Sequence, residues 1–227
     1  FQADKLAALG TVAAGMAHEV KNPLASIKGM TQVLKQNLAD KEFVDTFTEL
    51  VPRQLDRINK IVENLVRFGK PAKPEIKEVN INEILEEIIQ LMAHQCAQSN
   101  IIVEKILGEI PAIQGDKEQL TQVFLNIILN AIQAMPKGGK LSIESRAEAG
   151  KVRIAIADTG QGIAKDKLKD IFDPFFTTKE KGTGLGLSVT YRIVKDHGGG
   201  IAVESPSTAL GTSEEGKGTR FRVELPH

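Results

Sequence analysis

Two stretches near the start of the chain repeat apolar residues with helical spacing. The first covers residues 3–38, the second covers residues 43–68, and a short polar connection at residues 40–42 separates them. A period of about 100° per residue places the apolar positions of each stretch on one stripe. On the first stretch the stripe consists of Ala13, Met16, Val20, Leu24 and Ile27. The pattern predicts an antiparallel helical hairpin.

A lone pair of helices cannot enclose a hydrophobic core, so the stripes require a further partner. Pairing two copies of the hairpin into a four-helix bundle covers both stripes, which predicts a homodimer. Pro23 and Pro52 each remove a backbone hydrogen bond and are expected to bend their helices.

The pattern changes after residue 69, where glycine and proline interrupt the helix. We place a linker at residues 70–78 between a first domain at 1–69 and a second at 79–227. In the second domain, periodicity predicts helices over 82–98, 116–135, 164–172 and 185–196. It predicts strands over 101–106, 141–146, 152–157, 201–205 and 219–225. Mixed helices and hairpin-linked strands favour an α+β layer with the helices on one face of a sheet.

Composition narrows the classes of function. The 227 residues contain 29 Lys plus Arg and 29 Asp plus Glu, so no overall basic field attracts nucleic acid or an anionic membrane. The single cysteine, Cys96, cannot form an internal disulfide, which fits a reducing compartment. No apolar run spans a bilayer, and the chain begins at Phe1. We interpret it as the cytoplasmic part of a membrane-bound sensor whose N-terminal region is missing.

His18 is the first candidate for chemistry. It points roughly 160° away from the apolar stripe, so the imidazole is expected to be accessible. A lone exposed histidine is most often an ordinary surface residue. Here, however, Glu19 is adjacent and could accept the ring N–H, while Asn22 lies one helical turn along. An imidazole with an unperturbed pKa of about 6.5 is largely neutral at pH 7 and can attack phosphorus.

Three later segments have features of a nucleotide site. Asn126 and Asn130 lie one turn apart on a predicted helix, and amide oxygens suit Mg²⁺, although local hydrogen bonding would also explain them. Asp158 follows an apolar strand and could accept a hydrogen bond from an adenine amino group. Glycines at 160 and 162 would let the backbone pass close to the base. The alternative interpretation of this segment is an ordinary turn. Residues 182–188 place a glycine-rich loop before a helix, as phosphate sites do, and residues 172–179 could form a lid.

Taken in order, these segments resemble bacterial two-component sensor histidine kinases. His18 to Leu24 resembles the H box, and the later segments resemble the N, G1, F and G2 boxes of the ATP-binding domain. The resemblance implies a dimeric four-helix bundle followed by a Bergerat-type (GHKL) ATP-binding sandwich, the fold shared with gyrase, Hsp90 and MutL proteins. The sequence after Asn130, with Gln133 in place of the usual basic residue, resembles the nitrogen-regulation and sporulation sensor kinases.

The resemblance also implies roles for individual residues. His18 is the phospho-acceptor, Glu19 its acid/base partner, and Asn22 positions a water for regulator dephosphorylation. Asn130 binds Mg²⁺ with Asn126, Asp158 reads adenine, and Ile163 lines the base. Because Gln133 cannot supply a positive charge, Lys179 is expected to contribute more to phosphate binding. The remaining predicted nucleotide contacts are Gly160, Gly162, Gly182, Thr183, Gly184, Leu185, Gly186, Leu187 and Thr219.

The function implied by the resemblance is ATP-dependent autophosphorylation of His18, followed by phosphotransfer to an aspartate of a response regulator. The implied partners are a second copy of the chain, the regulator's receiver domain and, as a further candidate, a protein inhibitor of the helical bundle. Two alternatives stay open here. One is an ATP-hydrolysing clamp, which would need a glutamate where Asn126 stands. The other is a nucleotide-binding scaffold without catalysis, which would leave His18 and Glu19 without a role.

Overall fold

The computed structural model describes residues 20–69, 74–179, 184–205 and 218–227. These residues divide into two compact units. The smaller unit contains the described residues of 20–69, with the short segments 177–179 and 184–185. The larger unit contains the remaining described residues. No helix in the described part of the chain is long and apolar enough to span a membrane.

The smaller unit is a helical hairpin, as the apolar periodicity predicts. Helix α1 covers residues 20–33 of the described chain and continues into a 3-10 turn at Leu34–Gln36, and α2 covers Lys41–Gly69. Asp40 is the N-cap of α2, because its Oδ1 accepts from the Phe43 N–H at 3.2 Å. The helix therefore begins two residues before the predicted start at 43.

Several large apolar side chains of the hairpin are open to solvent. Leu38 is 62% exposed, and Leu24 and Leu55 are each 48% exposed. Pro23 is buried, and both Pro23 and Pro52 lie within helices. The hairpin by itself thus leaves part of its apolar surface uncovered.

The larger unit combines three helices and seven strands among the residues that the structure describes. The helices are α3 (Ile81–Gln98), α4 (Lys117–Ala134) and α5 (Gly186–Asp196). The strands are β1 (Lys77–Val79), β2 (Ile101–Leu107), β3 (Ile113–Gly115), β4 (Gly139–Glu148), β5 (Lys151–Asp158), β6 (Gly200–Glu204) and β7 (Thr219–Pro226). The α+β arrangement predicted from the sequence is confirmed.

The main sheet has five strands in the order β2-β4-β5-β7-β6. Strand β2 pairs with β4 in parallel, and the other neighbours are antiparallel. Strands β4 and β5 form a hairpin whose turn residues, Ala149 and Gly150, both have positive φ, as the common two-residue hairpin turn requires. A second, two-stranded sheet pairs β1 with β3.

One face of the main sheet is buried and the other faces solvent. Along β5 and β7 every second residue is buried, which is the pattern of a sheet covered on one side. Helices α3 and α4 each bury an apolar stripe in the same core, and α5 adds Ile193 and Val194. The fully buried side chains include Ile84, Leu85, Leu120, Phe124, Ile127, Ile143, Val152 and Leu225.

Three details differ from the sequence predictions. Residues 164–172 are not a helix but a series of turns, with backbone bonds from Lys167 to Ala164 and from Asp170 to Lys167. A single stretch of nine residues is too short to form a stable helix without a long apolar stripe. Strands β1 and β3 were not predicted, and β1 lies partly in the stretch interpreted as the linker. Strand β2 joins the sheet in parallel rather than by a hairpin.

Candidate active site

Two residues predicted to contact the nucleotide lie side by side at the end of β5. Asp158 ends this central strand and stands directly opposite Thr219, the first residue of β7. Directly opposed residues project from the same face of a sheet. The Asp158 carboxylate is half-buried, and its Oδ1 accepts from the Gly160 N–H at 2.8 Å. This bond fixes the orientation of the carboxylate at the strand end.

The loop after β5 is held against the end of α4. A Cβ on Gly160 would lie 2.5 Å from the carbonyl oxygen of Ala134, so no side chain fits there. The Gln161 N–H donates to the same carbonyl at 3.1 Å. Gly162 has a φ of +73°, which favours glycine. Gly160 therefore permits the close approach of the loop to Ala134, and Gly162 permits a backbone conformation with positive φ.

The predicted amide ligands lie on the side of α4 that faces away from its core stripe. Asn126 and Asn130 are half-buried, and Gln133 is exposed. The Nδ2 of Asn126 donates to the carbonyl oxygen of Gly186 at 3.1 Å and to Thr190 Oγ1 at 3.3 Å. These bonds join the middle of α4 to the first two turns of α5.

Helix α5 begins at Gly186, where the sequence predicts phosphate contacts. The backbone N–H groups of a helix N-terminus and its dipole favour bound anions. Leu187 packs against the core from this first turn. The structure thus brings Asn126 and the start of α5 together within the larger unit.

His197, the residue after α5, has a structural role that local sequence patterns do not predict. Its imidazole is buried, with Nδ1 2.8 Å from the carbonyl oxygen of Ile193. Its Nε2 accepts from the Asp116 N–H at 3.0 Å, which assigns the ring proton to Nδ1. The histidine therefore ties the end of α5 to the start of α4. Its partner Asp116 lies 81 positions away, so no local spacing indicates this bond.

Asp116 caps α4, and its carboxyl has a clearly shifted pKa. Partial burial by itself would raise the pKa of this carboxyl. The N–H groups of Gln119, Glu75 and Glu118 outweigh that effect, with help from the nearby His197, so the pKa of Asp116 lies below its ordinary value. Its Oδ1 accepts from Gln119 at 3.0 Å and its Oδ2 from Glu75 at 2.9 Å.

The other predicted site residues fall in three groups. His18, Glu19, Gly182 and Thr183 lie outside the described residues. Lys179, Gly184 and Leu185 belong to the short segments of the smaller unit. Asn22 is exposed on α1, on the outward side that the sequence predicts. Within the described ranges, no group of three His, Cys, Asp or Glu side chains is arranged to hold a metal.

Comparison with known proteins places both units in recognised families. Residues 8–74 match the family model of the His Kinase A (phospho-acceptor) domain. Residues 115–227 match that of the histidine kinase-, DNA gyrase B-, and HSP90-like ATPase. The second match contains every predicted nucleotide-site residue, and the first contains His18, Glu19 and Asn22.

Similar curated proteins are sensor kinases. The chain is 40% identical over 227 residues to sporulation kinase C of Bacillus subtilis, covering 99% of the chain and 50% of that protein. It is 38% identical over 224 residues to the sensor histidine kinase ZraS of Escherichia coli, covering 98% of the chain and 46% of that protein. The chain spans about half the length of these curated relatives.

Solved structures of histidine kinases also match this chain. The catalytic domain of histidine kinase ThkA matches at 34% identity and a TM-score of 0.58, over 67% of this chain and 95% of that one. ThkA crystallised with the response regulator protein TrrA matches at 31% identity and a TM-score of 0.80, over 98% of this chain and 63% of that one. The chain belongs to the two-component sensor histidine kinases and comprises their catalytic core.

Proposed function

We propose that the chain binds ATP with Mg²⁺ in its larger unit, phosphorylates His18 and passes the phosphoryl group to an aspartate of a response regulator. The observation that carries this proposal is the assembly of two half-sites in one unit. Asp158 and Thr219 form a polar pair at the end of the sheet. Asn126 contacts the first turn of α5.

The end of β5 suits an adenine ring. The Asp158 carboxylate is oriented by the Gly160 N–H, so it presents an acceptor to the exocyclic amino group of the base. Gly160 lets this loop pack against the Ala134 carbonyl oxygen of α4, and the positive φ of Gly162 sets the course of the backbone beside the proposed ring. Ile163, partly buried against the core, supplies an apolar surface for one face of that ring.

The other half-site suits a triphosphate. The N–H groups at the start of α5 attract phosphate oxygens. Asn130, assisted by Asn126, would hold Mg²⁺, and amide oxygens are suitable ligands for this hard cation. Because the Asn126 nitrogen donates to Gly186 and Thr190, its ligand atom would be Oδ1. When bound, Mg²⁺ neutralises charge on the phosphates and so favours phosphoryl transfer.

The transfer step needs a nucleophile with a free lone pair. A neutral ring nitrogen of His18 attacks the γ-phosphorus, a P–N bond forms, the bond to the bridging oxygen breaks, and ADP leaves. Glu19 accepts the ring proton, and catalysis otherwise rests on positioning and charge stabilisation. Asn22, which is exposed on α1 and follows His18 by four residues in the sequence, positions a water when the regulator is dephosphorylated.

The ATP-hydrolysing clamp is disfavoured by the chemistry at Asn126. A clamp requires a general base at this position, and an amide cannot remove a proton from water. In this chain the amide nitrogen is also committed to two bonds with α5. A nucleotide held here is therefore protected from rapid hydrolysis, which favours transfer to a histidine.

The proposed partners follow from the same features. The uncovered Leu24, Leu38 and Leu55 of the hairpin favour pairing with a second copy. A receiver domain is proposed as the phosphate acceptor because the related ThkA was solved with a response regulator. A protein inhibitor of the bundle and a membrane anchor in a preceding sensor region, with this core in the cytoplasm, remain proposals from the family resemblance.

Incubation with γ-³²P-ATP and Mg²⁺ tests the function. We expect an acid-labile, alkali-stable label on the wild type and none on His18→Gln, since phosphoramidates have this stability pattern. Asn130→Asp should abolish both the label and nucleotide binding, whereas Asn22→Ala should keep the label and lose regulator dephosphorylation. Equal labelling of the wild type and His18→Gln would refute the proposal. Unchanged ATP affinity in Asn130→Asp would remove the metal assignment.

A further inference from the structure

Three separate chain segments meet at a single hydroxyl group beside the adenine half-site. Ser205, the residue after β6, accepts from the Ile163 N–H at 2.8 Å through its Oγ. The same hydroxyl donates to the carbonyl oxygen of Gly218 at 2.6 Å. Both functions of the hydroxyl are therefore used, one toward the loop after β5 and one toward the start of β7.

The backbone around this hydroxyl is packed closely. A Cβ on Gly162 would lie 3.0 Å from Ser205 Oγ and 3.3 Å from the carbonyl oxygen of Gly218. A Cβ on Gly218 would lie 2.1 Å from the carbonyl oxygen of Asp158, closer than atoms can approach. The spacing between the three segments is thus set by glycines on two sides and by a hydrogen-bonding group of fixed length between them.

We propose that Ser205 is a positioning residue for base recognition. It acts through Ile163, which it holds where that side chain can line the base, and through Gly218, which precedes Thr219 and abuts Asp158. This inference rests on the proposed function, because it assumes that adenine occupies the end of β5. Loss of the hydroxyl leaves an N–H and a carbonyl without their partner and lets the loop move relative to β7.

The test measures base selectivity rather than stability alone. In the full chain with Mg²⁺, the dissociation constants of ATP and GTP are measured for the wild type, Ser205→Ala and Ser205→Thr by calorimetric titration. We expect Ser205→Ala to weaken ATP binding roughly tenfold and to change GTP binding less than twofold. Ser205→Thr, which restores the hydroxyl, should recover at least half of the lost selectivity.

Ser145→Ala is the matched control. Ser145 is buried in the same unit, and its hydroxyl donates to Asn82 Oδ1 at 2.7 Å, away from the predicted nucleotide contacts. It should lower the thermal unfolding temperature without changing the ATP-to-GTP ratio. Should Ser205→Ala fail to fold, Ser205→Cys serves instead, because a thiol is a weaker donor and acceptor and should give an intermediate loss.

The outcomes separate the two proposals. A wild type that binds ATP and GTP equally would overturn adenine recognition by Asp158, and this inference with it. A selective wild type whose Ser205→Ala variant is equally selective would overturn only the role of Ser205. Equal weakening of ATP and GTP binding, or a matching loss of selectivity in Ser145→Ala, would also overturn it by indicating general damage.

Discussion

The helical hairpin and the α/β unit differ in how much of their own apolar surface they cover. In the α/β unit, helices and sheet enclose a continuous core in which Phe124, Ile127 and Ile143 are fully buried. In the hairpin, Leu38 and Leu55 remain largely open to water. The difference indicates that the α/β unit is self-sufficient in its core, whereas the described part of the hairpin leaves apolar surface uncovered.

The largest expected effect is the loss of core packing in the self-sufficient unit. Phe124 is 0% exposed, and Phe124→Ala should lower the free energy of unfolding of this unit by about 3–5 kcal/mol. Urea denaturation of the full chain measures this change. Leu91→Ala, at a 66% exposed residue of α3, is the control and should change it by less than about 0.5 kcal/mol. Similar losses at both positions would contradict the contrast between core and surface.

The second test breaks the proposed pairing of hairpins. Covering a leucine is worth about 1.5–3 kcal/mol, and roughly half of Leu55 is still exposed in a single chain. Two copies of Leu55→Ser should thus weaken the dimer by about 1.5–3 kcal/mol, or about ten- to hundredfold in its dissociation constant. Sedimentation equilibrium measures this constant.

The control for pairing is Arg53→Gln, which removes an exposed ion pair with Glu49 on the same helix. Exposed pairs contribute little, so the dimer should be unchanged. A monomeric wild type, or equal dissociation constants for Leu55→Ser and the wild type, would contradict the proposal that the exposed leucines pair two hairpins.

The smallest effect concerns a single cap within the α/β unit. Asp116→Ala removes the acceptor for Gln119 and Glu75 and should cost about 0.5–2 kcal/mol at pH 7. Because the pKa of Asp116 is lower in the folded chain, its contribution is complete above the unfolded value of about 3.9 and is lost as the pH falls through the folded value.

The measurement is urea denaturation at pH 7 and at successively lower pH below 4. The difference between wild type and Asp116→Ala should shrink on acidification as the carboxylate is protonated. Asp116→Asn keeps an oxygen acceptor without the charge, so it should lose less stability at pH 7 than Asp116→Ala. A difference between wild type and Asp116→Ala that grows at low pH would show that the sign of the pKa shift is wrong.

Long periodic elements were predictable because their signal is local. Helix α4 was expected over 116–135 and covers Lys117–Ala134, with Asp116 as its cap. Helix α3 was expected over 82–98 and begins one residue earlier, after the cap Asn80. Strands β4 and β5 were found for the same reason, since each has three buried residues that alternate with less buried ones.

The features that escaped prediction depend on distant partners or on very short elements. Strands β1 and β3 have three residues each, too few to show alternation. The bond between His197 and Asp116 and the bridge at Ser205 join residues that are far apart in sequence. The Asp158 and glycine motif predicts an adenine site, but the hydrogen bonds that hold this loop depend on how the strands assemble.

The hydrogen bond between Ser205 and the carbonyl oxygen of Gly218 has a consequence for how this protein can evolve. Ser205 follows the last residue of β6, and Gly218 precedes the first residue of β7. Their hydrogen bond therefore joins the two ends of the sequence between these strands. Lengthening a closed loop costs little, about 0.6 kcal/mol for each doubling. We therefore expect insertions and deletions between these two residues to cost little stability.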